Sequence, residues 1–248
     1  MKETTFVMGG SSAIAQQLVA MCLQQGQSVV VGGRDPSDLV ALYGNSDSVR
    51  CVAVQATDPV SVDAAFEQLA QEGHHVHRYA HCVGSILVAP LVRTTNAQID
   101  SVLSTNLLSA MYGLRAFLKH RKQLGGGGAA VLVSTCATGI GVANHEAIAA
   151  AKGGLEGLAR SAAATHAPDG IRVNVVAPGL TDTPMAKAFL SSELMKAASA
   201  RQYPLEGINS PAEVAQAMAW LLGEESSRIT GQVLSVDGGF RAIRPLVK

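Results

Sequence analysis

The sequence predicts an α/β fold, a doubly wound parallel sheet of seven strands with helices on both faces. Short apolar runs alternate with longer amphipathic segments along all 248 residues. Hydrophobic residues make up 48% of the chain and aromatic residues only 4%, so small aliphatic side chains dominate, as in strands that helices cover on both sides. Because no change in composition marks a boundary, we expect a single domain over residues 1–248.

The elements follow from their local patterns. The predicted strands are short runs rich in β-branched residues: Thr5–Met8, Ser28–Val31, Val49–Val54, Val76–Val83, Ala129–Thr135, Arg172–Ala177 and Gln232–Val236. The predicted helices are the amphipathic segments between them: Ala13–Gln25, Ser37–Tyr43, Val60–Glu72, Ala97–Lys122, His145–Ala167, Thr183–Ala200 and Pro211–Gly223. Four consecutive glycines, 125–128, are expected to form a flexible turn after the fourth helix.

The turn after the first strand is rich in glycine and other small residues. Its backbone amides can approach a pyrophosphate, and the N-terminus of the next helix adds a partial positive charge. A plain helix start would have a similar sequence, so that alternative stays open. The turn predicts a Rossmann-type dinucleotide site that includes Gly9, Ser11, Ser12, Ala13 and Ile14.

The second strand indicates which dinucleotide binds. Gly33 occupies the place where an NAD-binding protein usually has an aspartate for the ribose hydroxyls, and Arg34 follows it. An arginine suits a 2′-phosphate, so we expect NADP, with NAD as the weaker alternative. Arg34 could instead be a solvated turn residue that pairs with Asp35 or Asp38.

Two groups farther along the chain fit a reductase site. Thr135 ends a buried strand with a hydroxyl, and Lys152 lies on the first turns of the helix that follows. With them, the chain resembles the short-chain dehydrogenase/reductases over essentially its whole length, and within that family it is similar to the beta-ketoacyl carrier-protein reductases. The other motifs that carry the resemblance are Ile171-Arg172-Val173-Asn174, Pro178-Gly179-Leu180-Thr181-Asp182-Thr183, Ile229-Thr230-Gly231-Gln232 and Asp237-Gly238-Gly239.

The resemblance implies roles for individual residues. Thr135 stands at the position of the catalytic serine, and Lys152 is the catalytic lysine. Asn106 matches the helix asparagine that holds a proton-relay water, and Thr183 matches the hydroxyl that binds near the nicotinamide amide. The further cofactor contacts that it implies are Asp58, Cys82, Val83, Gly84, Lys152, Pro178, Gly179 and Thr181.

The chain departs from the family pattern at several of these positions. Cys82-Val83-Gly84 stands where the family usually has Asn-Ala-Gly. Asp58 lies near the acid that contacts the adenine, but Gln55 takes that acid's own place. The largest departure is Ile148, four residues before Lys152, where the family has the tyrosine that gives a proton to the alkoxide.

Three replacements for the tyrosine are open. His145 lies seven residues before Lys152, the spacing at which enoyl-carrier-protein reductases of this superfamily place their tyrosine, although a surface histidine near the helix start is the plainer interpretation. Tyr203 follows the segment that usually covers the substrate, and it is otherwise a packing residue. The third possibility is that Lys152 and water suffice, or that the reduced bond is an activated C=C.

Two functions from different classes remain. The first is an NADP(H)-dependent reductase that transfers hydride to a carbonyl or an activated C=C of a small apolar substrate. The second is a catalytically silent member that binds nucleotide as a sensor or assembly subunit. Loss of the tyrosine favours the silent member, whereas Thr135, Lys152, Asn106 and Thr183 favour the enzyme because they converge on one pocket.

Composition excludes several other classes. The 19 basic and 19 acidic residues balance, which gives no reason to expect nucleic acid or an acidic membrane as partner. The four cysteines are far apart, so reduced thiols and a cytoplasmic location are expected. The N-terminal apolar run is too short for a signal peptide or a membrane span. His74, His75, His77 and His81 lack a completing carboxylate or cysteine, so we expect no metal.

Two further expectations concern the substrate cover and the assembly. Residues 183–207 should form the lid over the substrate. The resemblance implies a homo-oligomer, a tetramer or a dimer, built on the long helices Ala97–Lys122 and His145–Ala167, whose alanine-rich surfaces allow close approach.

Overall fold

The computed structural model describes residues 4–44, 46–187 and 190–245. It has one parallel sheet with the strand order β3-β2-β1-β4-β5-β6-β7, which confirms the predicted Rossmann-type fold class. The strands are β1 (Thr4–Met8), β2 (Ser28–Gly33), β3 (Val49–Ala53), β4 (Val76–His81), β5 (Gly128–Val133), β6 (Ile171–Pro178) and β7 (Val233–Val236).

Helices cover both faces of this sheet. They are α1 (Ala13–Gln24), α2 (Pro36–Tyr43), α3 (Pro59–Gln71), α4 (Asn96–Leu103), α5 (Ser109–Gln123), α6 (Glu146–His166), α7 (Glu193–Ala200) and α8 (Pro211–Leu222). Capping residues define several starts: Ser12 accepts a hydrogen bond from Ala15 N on α1, and Ser210 forms a capping box with Glu213 on α8.

Alternation along the strands divides the core between the two faces. Phe6 of β1 packs in a cluster with Phe117 of α5 and Leu155 of α6. The next residue, Val7, packs in a second cluster with Leu18 of α1 and Met218 of α8. Successive side chains of a strand point to opposite faces, so each buried strand contributes to both cores.

The chain crosses from β3 at one edge to β4 beside β1, so the strand order reverses there. In doubly wound sheets a crevice forms at the carboxyl ends of the strands on either side of such a point, and ligands bind in it. The fold therefore places its binding crevice beyond Met8 and His81.

The predicted helix Ala97–Lys122 contains an irregularity. A π-helical turn, Ser104–Leu108, separates α4 from α5. The Ser109 hydroxyl donates to Thr105 O at 2.6 Å, and His81 Nε2 lies 3.0 Å from the same hydroxyl. A hydroxyl that bonds to a backbone carbonyl one turn earlier disturbs regular helical bonding, which accounts for the wider turn.

The prediction of one helix over Thr183–Ala200 was wrong for the first half of that range. Only a 3₁₀ turn at Pro184–Ala186 and the later helix α7 are present in the described residues, and Ala188 and Phe189 lie outside them. Ser192 accepts a hydrogen bond from Met195 N and so begins α7 at Glu193, ten residues later than predicted. In the described residues of the lid predicted at 183–207, a 3₁₀ turn precedes the short helix α7, and turns follow it.

No helix in the described parts of the chain combines the length and the apolar character needed to cross a membrane.

Candidate active site

A cavity of about 830 Å³ opens in the crevice at the carboxyl ends of the strands. Its walls include residues at or just after the ends of six strands: Met8, Gly33, Val54, Cys82, Val133 and Pro178. Every predicted site residue except Asp58 lines this one cavity: Gly9, Ser11, Ser12, Ala13, Ile14, Arg34, Cys82, Val83, Gly84, Asn106, Thr135, His145, Lys152, Pro178, Gly179, Thr181 and Thr183.

The glycine-rich turn forms one end of the cavity. Gly9 and Gly10 donate their backbone N–H groups to Gly32 O at 2.9 and 3.0 Å, which ties the turn to β2. Gly9 has a φ of +82°, and a Cβ there would lie 2.8 Å from Val83 N. Only glycine fits that position. Ala13 is the first residue of α1 and has no positive φ, so alanine causes no strain there.

Arg34 lies at the rim of this end, exposed to solvent. Asp35, its alternative partner, instead accepts hydrogen bonds from Ser37 N and Ser37 Oγ at 2.8 and 2.6 Å and caps α2. Within the described residues Arg34 makes no ion pair and no hydrogen bond. Its guanidinium is therefore available to an anionic group at the cavity rim.

Asp58 lies outside the cavity. Its carboxylate accepts a hydrogen bond from Val60 N at 3.0 Å and caps α3. The residues that line the cavity at this point are Gln55, Ala56 and Thr57, just before the helix. The structure therefore gives Asp58 a helix-capping contact instead of a contact with the cavity.

Lys152 is the buried cation in the middle of the cavity wall. The residue is 5% exposed, and its Nζ donates to Val133 O at 2.7 Å. Burial lowers the pKa of the ammonium from its usual value to about 8, and the neighbouring Cys82 opposes this shift only in part. A cation in a poorly solvated place gives up its proton more readily than one in water.

Two thiols line the same wall, Cys82 and Cys136. Burial raises the pKa of Cys82 to about 12 and that of Cys136 to about 11. Both side chains are therefore protonated near neutral pH.

Asn106 lies on the π-helical turn and is fully buried. Its amide nitrogen donates to Ser85 Oγ at 2.9 Å and to Val102 O at 3.1 Å, and its amide oxygen accepts from Ser85 N at 3.0 Å. Both amide protons are thereby used. The side chain fixes the loop after Gly84 against the helix.

Thr135 is the strand-end hydroxyl predicted from the sequence. It is half-buried, and its Oγ1 accepts a long hydrogen bond from Ala137 N at 3.4 Å. Its hydroxyl also contacts the side chain of Cys136, and because Thr135 lines the cavity this hydroxyl can donate to a group there instead.

A buried carboxylate holds the residues around Thr135. Glu156 is 5% exposed, and it accepts hydrogen bonds from Ser134 Oγ at 2.8 Å and from Thr138 Oγ1. Arg241 Nη1 lies 3.8 Å from the same carboxylate. Ser134 and Thr138 stand on either side of Thr135, so Glu156 fixes both ends of the segment that carries this hydroxyl.

Sequence reasoning missed Glu156. Ile148, Lys152 and Glu156 are spaced by four residues and therefore share one face of α6. That spacing was readable from the sequence, but the two hydroxyl partners from another element were not.

His145 is the N-cap residue of α6 and lines the cavity. Its Nδ1 lies 2.8 Å from Ala143 O. A carbonyl oxygen only accepts, so Nδ1 carries a proton, and Nε2 is a donor only when the ring is a cation. The neutral side chain thus has no second proton to give.

Ile148 is also in the cavity wall, 5% exposed, and packs with Val102 and Ala151. It forms an apolar surface one helical turn before Lys152.

The loop after β6 forms the side opposite α6. Thr181 donates its hydroxyl to Gly179 O at 3.0 Å, whereas the Thr183 side chain makes no hydrogen bond within the described residues. Tyr203 Oη accepts from Leu180 N at 2.7 Å, and its ring lies 5.1 Å from that of Phe240. Burial raises the pKa of the Tyr203 phenol. Tyr203 therefore supports this loop from the side of the lid.

No group of three or more histidine, cysteine, aspartate or glutamate side chains in the described part of the chain could hold a metal ion. His81, one of the histidines in the candidate cluster, is instead fully buried between Tyr79 Oη at 2.8 Å and Ser109 Oγ at 3.0 Å. His74 lies 3.9 Å from Glu72 at the surface.

Comparison with known proteins identifies relatives along the whole chain. A family described as Enoyl-(Acyl carrier protein) reductase matches residues 9–241. Carbonyl reductase family member 4 from Danio rerio is 36% identical over 248 residues, covering 98% of this chain and 100% of the relative. A 3-oxoacyl-[acyl-carrier-protein] reductase from Mus musculus is 34% identical over 245 residues, covering 97% of this chain and 99% of the relative. The solved structure of ElxO with NADP bound superposes with a TM-score of 0.90 at 24% identity, covering 97% of this chain and 99% of the ElxO chain. This similarity shows the shared fold.

Proposed function

Because the chain belongs to the short-chain dehydrogenase/reductase family, we propose that it is an NADP(H)-dependent oxidoreductase that reduces a carbonyl or an activated C=C of a small apolar substrate. Its relatives are oxidoreductases, which does not favour the alternative of a silent sensor or assembly subunit. The observation that carries the proposal is the single cavity that joins the glycine turn and Arg34 at one end to Lys152 and Thr135 at the other.

The residues present fit a dinucleotide. A Cβ at Gly9 would fill the space against Val83 that the glycine leaves open, and a Cβ at Gly84 would lie 3.6 Å from Lys152 Nζ. The start of α1 supplies partial positive charge for a pyrophosphate. Arg34, which has no partner among the described residues, would pair with a 2′-phosphate, and this supports NADP over NAD. ElxO, which has the same fold, binds NADP.

A bound reduced nicotinamide would supply the hydride in this reaction. The chain's own residues then have to hold the substrate and stabilise the negative charge that develops on its oxygen. The Thr135 hydroxyl lines the cavity and can donate to that oxygen, and the ammonium of Lys152 adds positive charge. Thr183 has a free side chain with which to orient the amide of the nicotinamide.

Ile148 stands where we place the family's tyrosine, so the proton must come from elsewhere. His145 reaches the cavity, but its Nε2 is a donor only as a cation. The Tyr203 hydroxyl bonds to the loop after β6, and burial raises its pKa, which makes it a weaker acid. The remaining candidate among the three is Lys152 with water.

The substrate part of the cavity is largely apolar. Side chains without charge surround the approach to Lys152 and Thr135: Ile86, Val88, Val142, Ile148, Met185 and Phe240. The relatives named carbonyl reductase and 3-oxoacyl reductase support a carbonyl group, and the family description as an enoyl reductase supports a C=C. A neutral substrate with a short apolar body fits this lining.

The test measures NADPH binding by fluorescence and NADPH consumption with cyclohexanone, an acetoacetyl thioester and a crotonyl thioester. We expect binding of NADPH that is tighter than that of NADH, and turnover with at least one carbonyl or enoyl compound. Binding without turnover of any compound between about pH 6 and 9 would instead support the silent subunit. No binding at about millimolar NADPH would contradict both functions.

A further inference from the structure

Lys152 has more hydrogen-bond donors than the protein uses. An ammonium carries three N–H groups, and only one of them has an acceptor in the described part of the chain, Val133 O at 2.7 Å. Two protons are therefore free in a residue that is 5% exposed and lines the cavity. If one of them bonds to a bound dinucleotide, one still remains for the substrate.

The surroundings of this ammonium hold few other charges. Cys82 and His81 face it from β4, and His145 and Glu156 lie on its own helix. Burial holds the pKa of Cys82 at about 12 and lowers that of His81 to about 3, so both are neutral between these values. Glu156 is engaged by Ser134 and Thr138, and His145 is engaged by Ala143. Within the described residues Lys152 therefore makes no ion pair, and its own ionisation is a change of charge in the cavity wall.

We propose that the ammonium of Lys152 is itself the proton donor to the substrate oxygen, in place of the phenol that Ile148 has replaced. This inference rests on the proposed reductase function. Ile148, one turn earlier on the same face of α6, offers no hydrogen-bond group that would take up the free protons of Lys152.

The step balances without any further reagent. A bound NADPH would supply a hydride with its electron pair to the carbonyl carbon, so that NADPH would be oxidised and the carbonyl reduced. The π pair of the carbonyl moves onto oxygen. The oxygen then takes a proton from Nζ, and the N–H bonding pair stays on nitrogen. The neutral amine keeps its hydrogen bond to Val133 O and regains a proton from water.

The acidity of this group suits the role. An acid transfers protons best when its pKa lies near the working pH, and burial brings the pKa of Lys152 to about 8. An ordinary lysine holds its proton far more tightly. Carbonyl reduction should therefore be fastest below the pKa of Lys152 and should fall as the pH rises through it, while alcohol oxidation should rise over the same range.

Lys152→Arg is the decisive variant. Arginine keeps the positive charge and several N–H donors, but it does not give up a proton near neutral pH. We expect NADPH binding to stay within about fivefold of the native value and turnover to fall by about 100-fold or more. A lysine that only held the cofactor and supplied charge would keep most of its turnover as arginine, and that result would overturn the proposal.

Amine rescue gives a second test. Lys152→Ala with added ethylamine should regain turnover in proportion to the concentration of the ammonium form, with a rate that depends on the pKa of the amine used. His145→Ala and Tyr203→Phe address the rival donors: if either substitution removes the fall in rate at high pH, Lys152 is not the donor.

A measurement without turnover separates this inference from the proposed function. In protein labelled with ¹³C at the lysine Cε, the chemical shift of Lys152 in the NADP⁺ complex reports its pKa directly. We expect a value near that of the free protein, about 8. A value above about 10 overturns the donor role even where the enzyme turns over. Absence of dinucleotide binding instead rejects the reductase function itself.

Discussion

The Glu156 carboxylate accepts the Ser134 hydroxyl at 2.8 Å and thereby joins α6 to the residue that precedes Thr135. Lys152 lies one turn earlier on the same helix. One helix face therefore sets the position of the ammonium directly and that of the Thr135 hydroxyl through a neighbour, and this makes Glu156 a positioning residue.

Glu156→Ala should lower stability and impair turnover. It leaves the buried Ser134 hydroxyl without its acceptor, which costs roughly 1–3 kcal/mol in the free energy of unfolding, whereas Thr138 keeps Thr135 O as an acceptor. Glu156→Gln keeps an acceptor oxygen and should restore most of the turnover. Urea unfolding and steady-state kinetics measure both effects. Glu67→Gln, at an exposed ion pair with Lys119, is the control and should change stability by less than about 1 kcal/mol.

A double-mutant cycle distinguishes positioning from a general loss of stability. If Glu156 acts through Thr135, Glu156→Ala should lower kcat much less in a Thr135→Val background than in the native protein. Equal effects in both backgrounds would mean that Glu156 supports the fold and does not orient the hydroxyl.

Arg34→Ala should remove the preference for NADPH over NADH. The guanidinium has no partner in the described residues, so its loss affects a ligand phosphate and not an internal contact. We expect NADPH affinity to fall by about tenfold or more, because the free energy of a charge-assisted hydrogen bond corresponds to a change in affinity of that size. NADH affinity should stay nearly constant. Fluorescence titrations with both dinucleotides measure this, and Arg93→Ala, an exposed arginine outside the cavity, is the control. Equal affinities of the native protein for the two dinucleotides would count against NADP.

Ile148→Tyr should raise carbonyl reduction. The new phenol would lie one turn from the Lys152 ammonium, and a positioned acid contributes about 10²–10⁴ in rate. Ile148→Phe has the same ring without the hydroxyl and should give no such gain. Initial rates on a set of ketones compare the two variants. Equal rates would mean that the cavity does not hold a carbonyl beside residue 148.

Acid should destabilise the protein through His81. Burial lowers the pKa of His81 to about 3 in the folded state, whereas the unfolded chain has the ordinary value of about 6.5. Below about pH 6.5 the unfolded state binds a proton that the folded state does not bind, so stability falls as the pH falls, by up to about 1.4 kcal/mol per pH unit. His120, whose pKa is lowered to about 4 mainly by burial, adds to this slope.

Denaturant unfolding between about pH 7 and 4 measures the slope for the native protein and for His81→Gln. The variant should show a shallower dependence on pH, even though its stability at neutral pH is lower. A slope unchanged by the substitution would indicate that other groups cause the acid sensitivity.

The sheet and most helices were predictable because each depends on local pattern. Short apolar runs located every strand to within about two residues, and the glycine-rich sequence at Gly9 predicted the turn in which its φ is +82°. The convergence of Thr135 and Lys152 on one cavity was predictable from the resemblance to the short-chain dehydrogenase/reductases, which implies that both residues belong to one site.

Features that depend on partners distant in sequence were not predictable. The π-helical turn at Ser104–Leu108 precedes Ser109, whose hydroxyl bonds to Thr105 O and contacts His81 on another element. The role of Glu156 depends on hydroxyls that precede α6 in the chain. Asp58 was predicted as a cofactor contact, but in the structure its carboxylate caps the N-terminus of α3. The first half of the predicted lid helix has suitable apolar spacing, but the cap at Ser192 begins α7 later in the chain.

The two thiols in the cavity wall have a consequence for how the protein tolerates oxidants. Peroxides and alkylating reagents attack the thiolate, and burial keeps Cys82 and Cys136 protonated up to pKa values of about 12 and 11. The burial that makes Lys152 more acidic also keeps the neighbouring Cys82 protonated, and burial does the same for Cys136, so we expect activity to survive oxidants that inactivate thiolate-dependent enzymes.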